Sequence, residues 1–279
     1  MVDALFPPEF FRALERCSRA RALPGAGRAA AARRGSTSPG FERARYATGD
    51  ALAAVDWRAS ARRDTLLVRL REEERGGELC LVLDRSASLQ PGQPRRDQDQ
   101  RRLALALGWL RLEAGGSVRL HAGSPPLQFS GFERRSALQE ALRALPAPQG
   151  SDAPPAAAAA RGARRVLVLT DPWCGEPTWS FLATAARRCA QTACVSLILP
   201  EEDTPPQAAL DVTAVEGGGS LRADLDAGRE AYARRWEAWL AQRRARAAAC
   251  GARLVEVRCG RAGASAAHIL ETAGRAGLV

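Results

Sequence analysis

Leu79-Cys80-Leu81-Val82-Leu83-Asp84-Arg85-Ser86-Ala87-Ser88 decides how the rest of this chain is read. Five apolar residues in a row, bounded by polar ones, suit a strand buried on both faces of a sheet. The run stops at a carboxylate, with hydroxyls two and four residues further on. An ordinary strand followed by a Ser-rich turn accounts for these ten residues taken alone. Further along, Arg165-Val166-Leu167-Val168-Leu169-Thr170-Asp171 repeats the pattern, again ending at a hydroxyl and a carboxylate. Ala193-Cys194-Val195-Ser196-Leu197-Ile198-Leu199 is a third buried run.

Helical periodicity separates these strands. It predicts helices over 5–22, 102–113, 135–145, 179–189, 224–249 and 264–276, and short strands over 65–71, 117–121, 127–129 and 254–257. Residues 212–223 are expected to hold two short edge strands around Gly217-Gly218-Gly219. Residues 23–40 read as a flexible connection, and 91–100 as polar and loose. Strands alternating with helices imply an α/β fold, a doubly wound and mainly parallel sheet with helices on both faces. Residues 1–77 are expected to form an Arg-rich extension packing on a core domain of 78–279.

Right-handed crossovers place the loops after Leu83 and Leu169 at the same end of such a sheet. Ligands of open α/β sheets sit in the crevice beyond the carboxyl ends of the strands. Asp84, Ser86, Ser88 and Asp171 are therefore expected to share a site, with Ser151 or Asp152 arriving from the loop between. These groups offer only oxygen, which suits a hard divalent cation such as Mg²⁺, Mn²⁺ or Ca²⁺.

The formal net charge is +10 over 279 residues, and all 41 basic residues are Arg. They are spread along the chain rather than gathered in a block, so nucleic-acid binding stands as the alternative and not the first reading. The seven cysteines form no CxxC and several fall in apolar runs, as in a cytoplasmic protein with reduced thiols. No run reaches signal-peptide or membrane-span character. Catalysis finds little support. An aspartyl phosphatase wants a second carboxylate two residues after Asp84, where Ser86 stands. A serine hydrolase wants a Gly-x-Ser-x-Gly context, and a nucleotide enzyme a phosphate-cradling glycine loop. The two histidines, His121 and His268, read as structural or surface residues. A metal-dependent hydrolase is the weakest of the readings.

With these residues in view, the Asp84-x-Ser86-x-Ser88 loop, a later hydroxyl and Asp171 resemble the metal-ion-dependent adhesion site of von Willebrand factor A domains. Arg45-Tyr46-x-x-Gly49-Asp50 and Val55-Asp56-Trp57-x-Ala59-x-Ala61-Arg62, directly before the Asp84 strand, are similar to the domain of unknown function 58 family. Leu199-Pro200-Glu201-Glu202, and Tyr232 with Trp239, are similar to it as well. The resemblance spans about residues 8–260. It implies a non-catalytic scaffold that binds an acidic group of a partner through the metal, often beside a MoxR-type AAA+ ATPase that assembles or remodels complexes. It implies metal ligation by Asp84, Ser86, Ser88, Ser151 and Asp171. Asp152, Arg45, Asp50, Asp56 and Arg62 flank that set as candidate partner contacts, with Arg45–Asp50 and Arg62–Asp56 equally open to structural pairing. The chain departs from the family at two points: the middle hydroxyl is Ser151 instead of Thr, and Pro154-Pro155 follow it.

Overall fold

The three apolar runs become neighbouring parallel strands. A computed structural model describes residues 4–22, 42–45, 60, 67–70, 78–90, 95–123, 125–149, 154, 157–206, 209–213, 219–224, 228–261 and 264–278. In chain order the elements are α1 (Pro8–Ala22), β1 (Glu42–Arg45), β2 (Leu67–Leu70), β3 (Glu78–Leu83), α2 (Arg95–Glu113), β4 (Ser117–His121), β5 (Leu127–Ser130), α3 (Arg135–Ala144), β6 (Ala163–Thr170), α4 (Glu176–Ala186), β7 (Gln191–Ile198), α5 (Pro200–Asp203), β8 (Ala209–Thr213), β9 (Ser220–Asp224), α6 (Arg229–Ala249), β10 (Arg253–Arg258) and α7 (His268–Arg275).

Two units are distinguished, residues 1–18 with 77–279, and residues 19–76. In the smaller one β1 pairs antiparallel with β2, Glu42 opposite Leu70 and Arg45 opposite Leu67. The larger one is built on a six-stranded sheet of order β10-β7-β6-β3-β4-β5, parallel except for β5. Strands β8 and β9 form a separate antiparallel pair, not the edge of the main sheet as the sequence suggested.

Alternation in the central strands feeds two apolar layers. Leu79, Leu81 and Leu83 join Leu167 and Leu169 against Leu103 and Leu107 of α2, Ile269 of α7, and Phe10 and Leu14 of α1. Cys80, Val82, Val166 and Val168 pack on the opposite side with Trp179 and Leu182 of α4 and Ala247 of α6. Burying each Leu or Val of these runs contributes roughly 1.5–3 kcal/mol relative to exposure, so a central strand polar on either face would not hold this place. Helices α2 and α3 approach closely at Gly108, where a Cβ would stand 2.5 Å from Leu138 Cδ2.

Both outer strands are short. Along β10, Glu256 pairs with Arg244 at 2.7 Å and Arg258 at 3.2 Å, and Arg258 reaches Asp203 at 3.0 Å. At the centre, the chain leaves β3 for β4 on one side, while β6 lies on the other. That divergence is the topological switch point, and it opens a crevice at the carboxyl ends of β3 and β6. Among the described residues no helix is long and apolar enough to cross a membrane.

Candidate functional site

Strands β3 and β6 run in register, Leu83 beside Leu169, so the residues that follow meet at one rim. The Asp84 amide donates to the Leu169 carbonyl at 3.0 Å, and the side-chain amide of Gln100 donates to the carbonyls of both Asp84 and Leu169, at 3.0 and 2.8 Å. Gln100 thus staples the two strand ends together from α2.

Asp84 is buried, 8% exposed. Its Oδ1 accepts the Ser86 amide at 2.8 Å, and its Oδ2 accepts the Thr170 hydroxyl at 2.7 Å. Burial pushes this carboxyl above its usual range; the hydrogen bonds from Thr170 and Ser86 oppose that rise, and the charge of Asp171 adds to it. The amide contact closes a local turn that sets the direction of the two serines. Their hydroxyls stand 2.7 Å apart, Ser86 fully buried and Ser88 partly so.

Asp171 makes the same kind of turn, its Oδ1 accepting the Trp173 amide at 2.7 Å. Its Oδ2 differs from every oxygen of Asp84: it is buried and has no hydrogen-bond partner among the described residues. The nearest cation is Arg96 Nη1 at 3.7 Å. Arg96, 1% exposed, also donates to the Ser88 carbonyl at 2.9 Å and pairs with Glu202 at 2.5 Å. Glu202 is a junction in turn, accepting from the Trp173 indole at 2.9 Å and the Leu199 amide at 2.8 Å, while its carbonyl takes the Tyr232 hydroxyl at 2.7 Å.

The loop that carries Ser151 starts beside this rim. Arg101 donates to the carbonyls of Leu145 and Pro146 at 2.8 and 3.0 Å, Arg85 donates to the same Pro146 carbonyl, and both guanidiniums share Asp97. Ser151 and Asp152 themselves lie outside the described residues, as do Asp50, Asp56 and Arg62. Of Arg45 the backbone is described, in β1. The structure therefore brings together Asp84, Ser86, Ser88 and Asp171.

The donor set fits a hard cation held by hydroxyls and carboxylates rather than one held by a carboxylate or imidazole cage. Among the described residues no three His, Cys, Asp or Glu side chains cluster as metal ligands. Two adjacent hydroxyl oxygens and, among the described residues, one carboxylate oxygen without a donor remain at this rim, oxygen groups of the kind a hard cation takes.

Arg96, Gln100, Thr170 and Glu202 complete the arrangement, and sequence reading gave none of them a place in it. Residues 95–100 correct the expectation of a loose stretch, because they are the first turns of α2 with Arg96, Asp97, Asp99 and Gln100 buried. A signal was present. Residues 96, 100, 103, 107 and 110 recur at helical spacing, so Arg96 and Gln100 continue the stripe of Leu103, Leu107 and Leu110. Polar residues on a buried stripe need partners, and the two strand ends and their loops provide them.

A family profile described as "Protein of unknown function DUF58" matches residues 42–244, and the chain belongs to that family. No curated protein matches the chain.

Proposed function

We propose that this DUF58 chain is a non-catalytic interaction module of von Willebrand factor A-like architecture, which grips an acidic side chain of a partner protein through a divalent cation at the rim of its sheet. The observation that carries this reading is a pair of hydroxyls 2.7 Å apart after β3 and, after the neighbouring β6, a buried carboxylate oxygen with no donor among the described residues. Neighbouring ligands of an octahedral Mg²⁺ at about 2.1 Å lie about 3.0 Å apart. Ser86 and Ser88 therefore need to separate only slightly to take adjacent positions.

Each residue has a definable task. Asp84 holds the Ser86 turn and, with Thr170, fixes the floor of the site. Asp171 presents Oδ2, and Ser151 is the further hydroxyl expected by resemblance. Two carboxylates, Asp171 and Glu202, stand against the guanidinium of Arg96, an imbalance that a divalent charge offsets. When bound, Mg²⁺ supplies a coordination position that a partner carboxylate can fill in place of water. Family resemblance makes a MoxR-type AAA+ ATPase or its client the natural partner, with Asp152, Arg45, Asp50, Asp56 and Arg62 as candidate partner contacts.

Two further observations support this reading over its rivals. Burial pushes the Cys80 thiol up to about 12, so it is not a poised nucleophile. Six of the 41 arginines, Arg85, Arg96, Arg101, Arg102, Arg119 and Arg258, bind carboxylates or carbonyls of the chain itself. Those six are not free to meet phosphates.

Calorimetric titration with Mg²⁺ tests the proposal. Wild type takes up one ion, Ser88→Ala lowers its affinity about tenfold, the loss of one ligand being comparable to one charge-assisted contact, and Asp84→Ala and Asp171→Asn abolish uptake. Equal Mg²⁺ heats in wild type and all three variants, each folded by circular dichroism, sink it.

A further inference from the structure

The loop that begins with Asp171 continues through Trp173 to Gly175 and Glu176, where α4 starts, and there it walls a second recess. A cleft of about 180 Å³ is lined by Gly175, Glu176, Trp179, Trp239, Arg243 and Arg246, among others. Arg243 forms its inner end. This side chain is 5% exposed, and its two terminal nitrogens donate to the Cys174 carbonyl at 2.9 Å and the Cys174 sulfur at 2.6 Å. Its guanidinium lies 4.6 Å from the Trp179 ring centre and 5.4 Å from that of Trp239. Its Nε has no hydrogen-bond partner, and no carboxylate pairs with it, among the described residues.

A buried cation without a counter-charge is costly, and proteins ordinarily pair it. Two indole faces relieve part of that cost. They leave a positive recess to which the N-terminal end of an 11-residue helix adds the same sign. Arg246, one turn along α6, brings a second guanidinium to the rim of the recess, where it is half-exposed and paired with Glu176. Two guanidiniums therefore face one carboxylate.

We propose that this cleft binds the carboxylate of an aspartate or glutamate side chain on a partner segment, independently of any cation. The chemistry selects that group. The remaining donors are the N–H groups of Arg243 beyond the two spent on Cys174, together with the half-exposed head of Arg246, and they suit a planar two-oxygen acceptor. The indole walls suit its methylenes, and the volume excludes a nucleotide. Trp239 also ties the cleft to the metal rim: it stacks on Trp173 at 5.4 Å, and its indole nitrogen donates to the Pro172 carbonyl at 3.1 Å. A partner bearing two acidic residues could then engage both places, although occupancy of the cleft does not rest on the metal reading.

The test uses the full chain in chelator, with ¹⁵N-labelled indoles assigned by Trp→Phe variants, titrated with acetyl-Gly-Glu-Gly-amide. The Trp179 and Trp239 signals shift while that of Trp109 stays, and the Gln counterpart of the peptide shifts none. Arg246→Glu weakens binding about tenfold, as expected for loss of a charge-assisted contact. Arg234→Glu, an equal charge reversal on an exposed turn of α6, changes it less than twofold, and Asp84→Ala leaves it unchanged. The proposal is overturned by silence of Trp179 and Trp239, by an equal response to the Gln peptide, or by equal losses in the two reversals, which would mean general electrostatic attraction. If Asp84→Ala removes the chelator-resistant binding, the peptide sits at the rim and the cleft is not its site. Failure of Mg²⁺ uptake would touch only the metal reading.

Discussion

Arg96 and Arg243 are both deeply buried guanidiniums, and their surroundings are opposite. At the rim, Arg96 stands between two carboxylates, 2.5 Å from Glu202 and 3.7 Å from Asp171. In the cleft, Arg243 meets a carbonyl, a sulfur and two indole faces, and among the described residues no acid pairs with it, since Glu176 of the same cleft pairs with Arg246. One place has two carboxylates for its buried cation, the other two guanidiniums for its one carboxylate. Residues 171–176 join them. Burial depth alone therefore says little about what a buried arginine does; the charge around it says what kind of ligand would complete the set.

The largest expected effect separates the two arginines. Arg96→Met strands Asp171 and Glu202 and lowers the unfolding free energy by about 3–5 kcal/mol in chelator, the usual result of removing one member of a buried charge set. Arg243→Met removes an uncompensated charge along with two hydrogen bonds and stays within about 1.5 kcal/mol of wild type. Urea denaturation of both variants measures the difference, and equal losses would break the contrast.

A smaller effect sharpens the account of the rim. Thr170→Val keeps the volume but takes the donor from Asp84 Oδ2, at a cost of about 1–2 kcal/mol; a loss no larger than that of an exposed Thr→Val change would show that Asp84 is held by Ser86 alone. The smallest effect concerns His121, which ends β4 at the same end of the sheet. Burial and Arg119 hold its folded pKa below the ordinary 6.5, so the neutral form is favoured and the unfolded chain takes up the proton first. Its contribution to stability is complete above the unfolded value and is lost as pH falls through the folded one, with a slope of at most about 1.4 kcal/mol per pH unit. Unfolding curves between pH 7 and pH 5 should show a shallower decline for His121→Gln than for wild type.

The α/β class and the parallel central strands were legible because an uninterrupted apolar run such as Leu79–Leu83 has few other places to go. The meeting of Asp84 and Asp171 followed from connection handedness. The rest depended on pairings that no local pattern carries. Arg96 and Glu202 are 106 positions apart, and Glu202 was visible only as part of a family signature. Thr170 was read as part of a strand-end pattern, without a partner. Arg243 lies on a helix whose aromatic residues drew notice first, and its isolation from acids exists only in three dimensions. The separate β8–β9 pair also escaped, since two short strands around glycines look alike whether they extend a sheet or stand apart.

The charged outer strand β10 has a consequence for how this protein can meet others. Arg253, Glu256 and Arg258 stud one margin of the sheet, two of them bound to side chains on α5 and α6. Charges so placed discourage a foreign strand from zipping onto exposed backbone, the route by which sheets recruit peptides and also the route to fibrils. Recognition along that margin must then be read through side chains, and the molecule can present a concentrated binding end without inviting its own copies to polymerise along its flank.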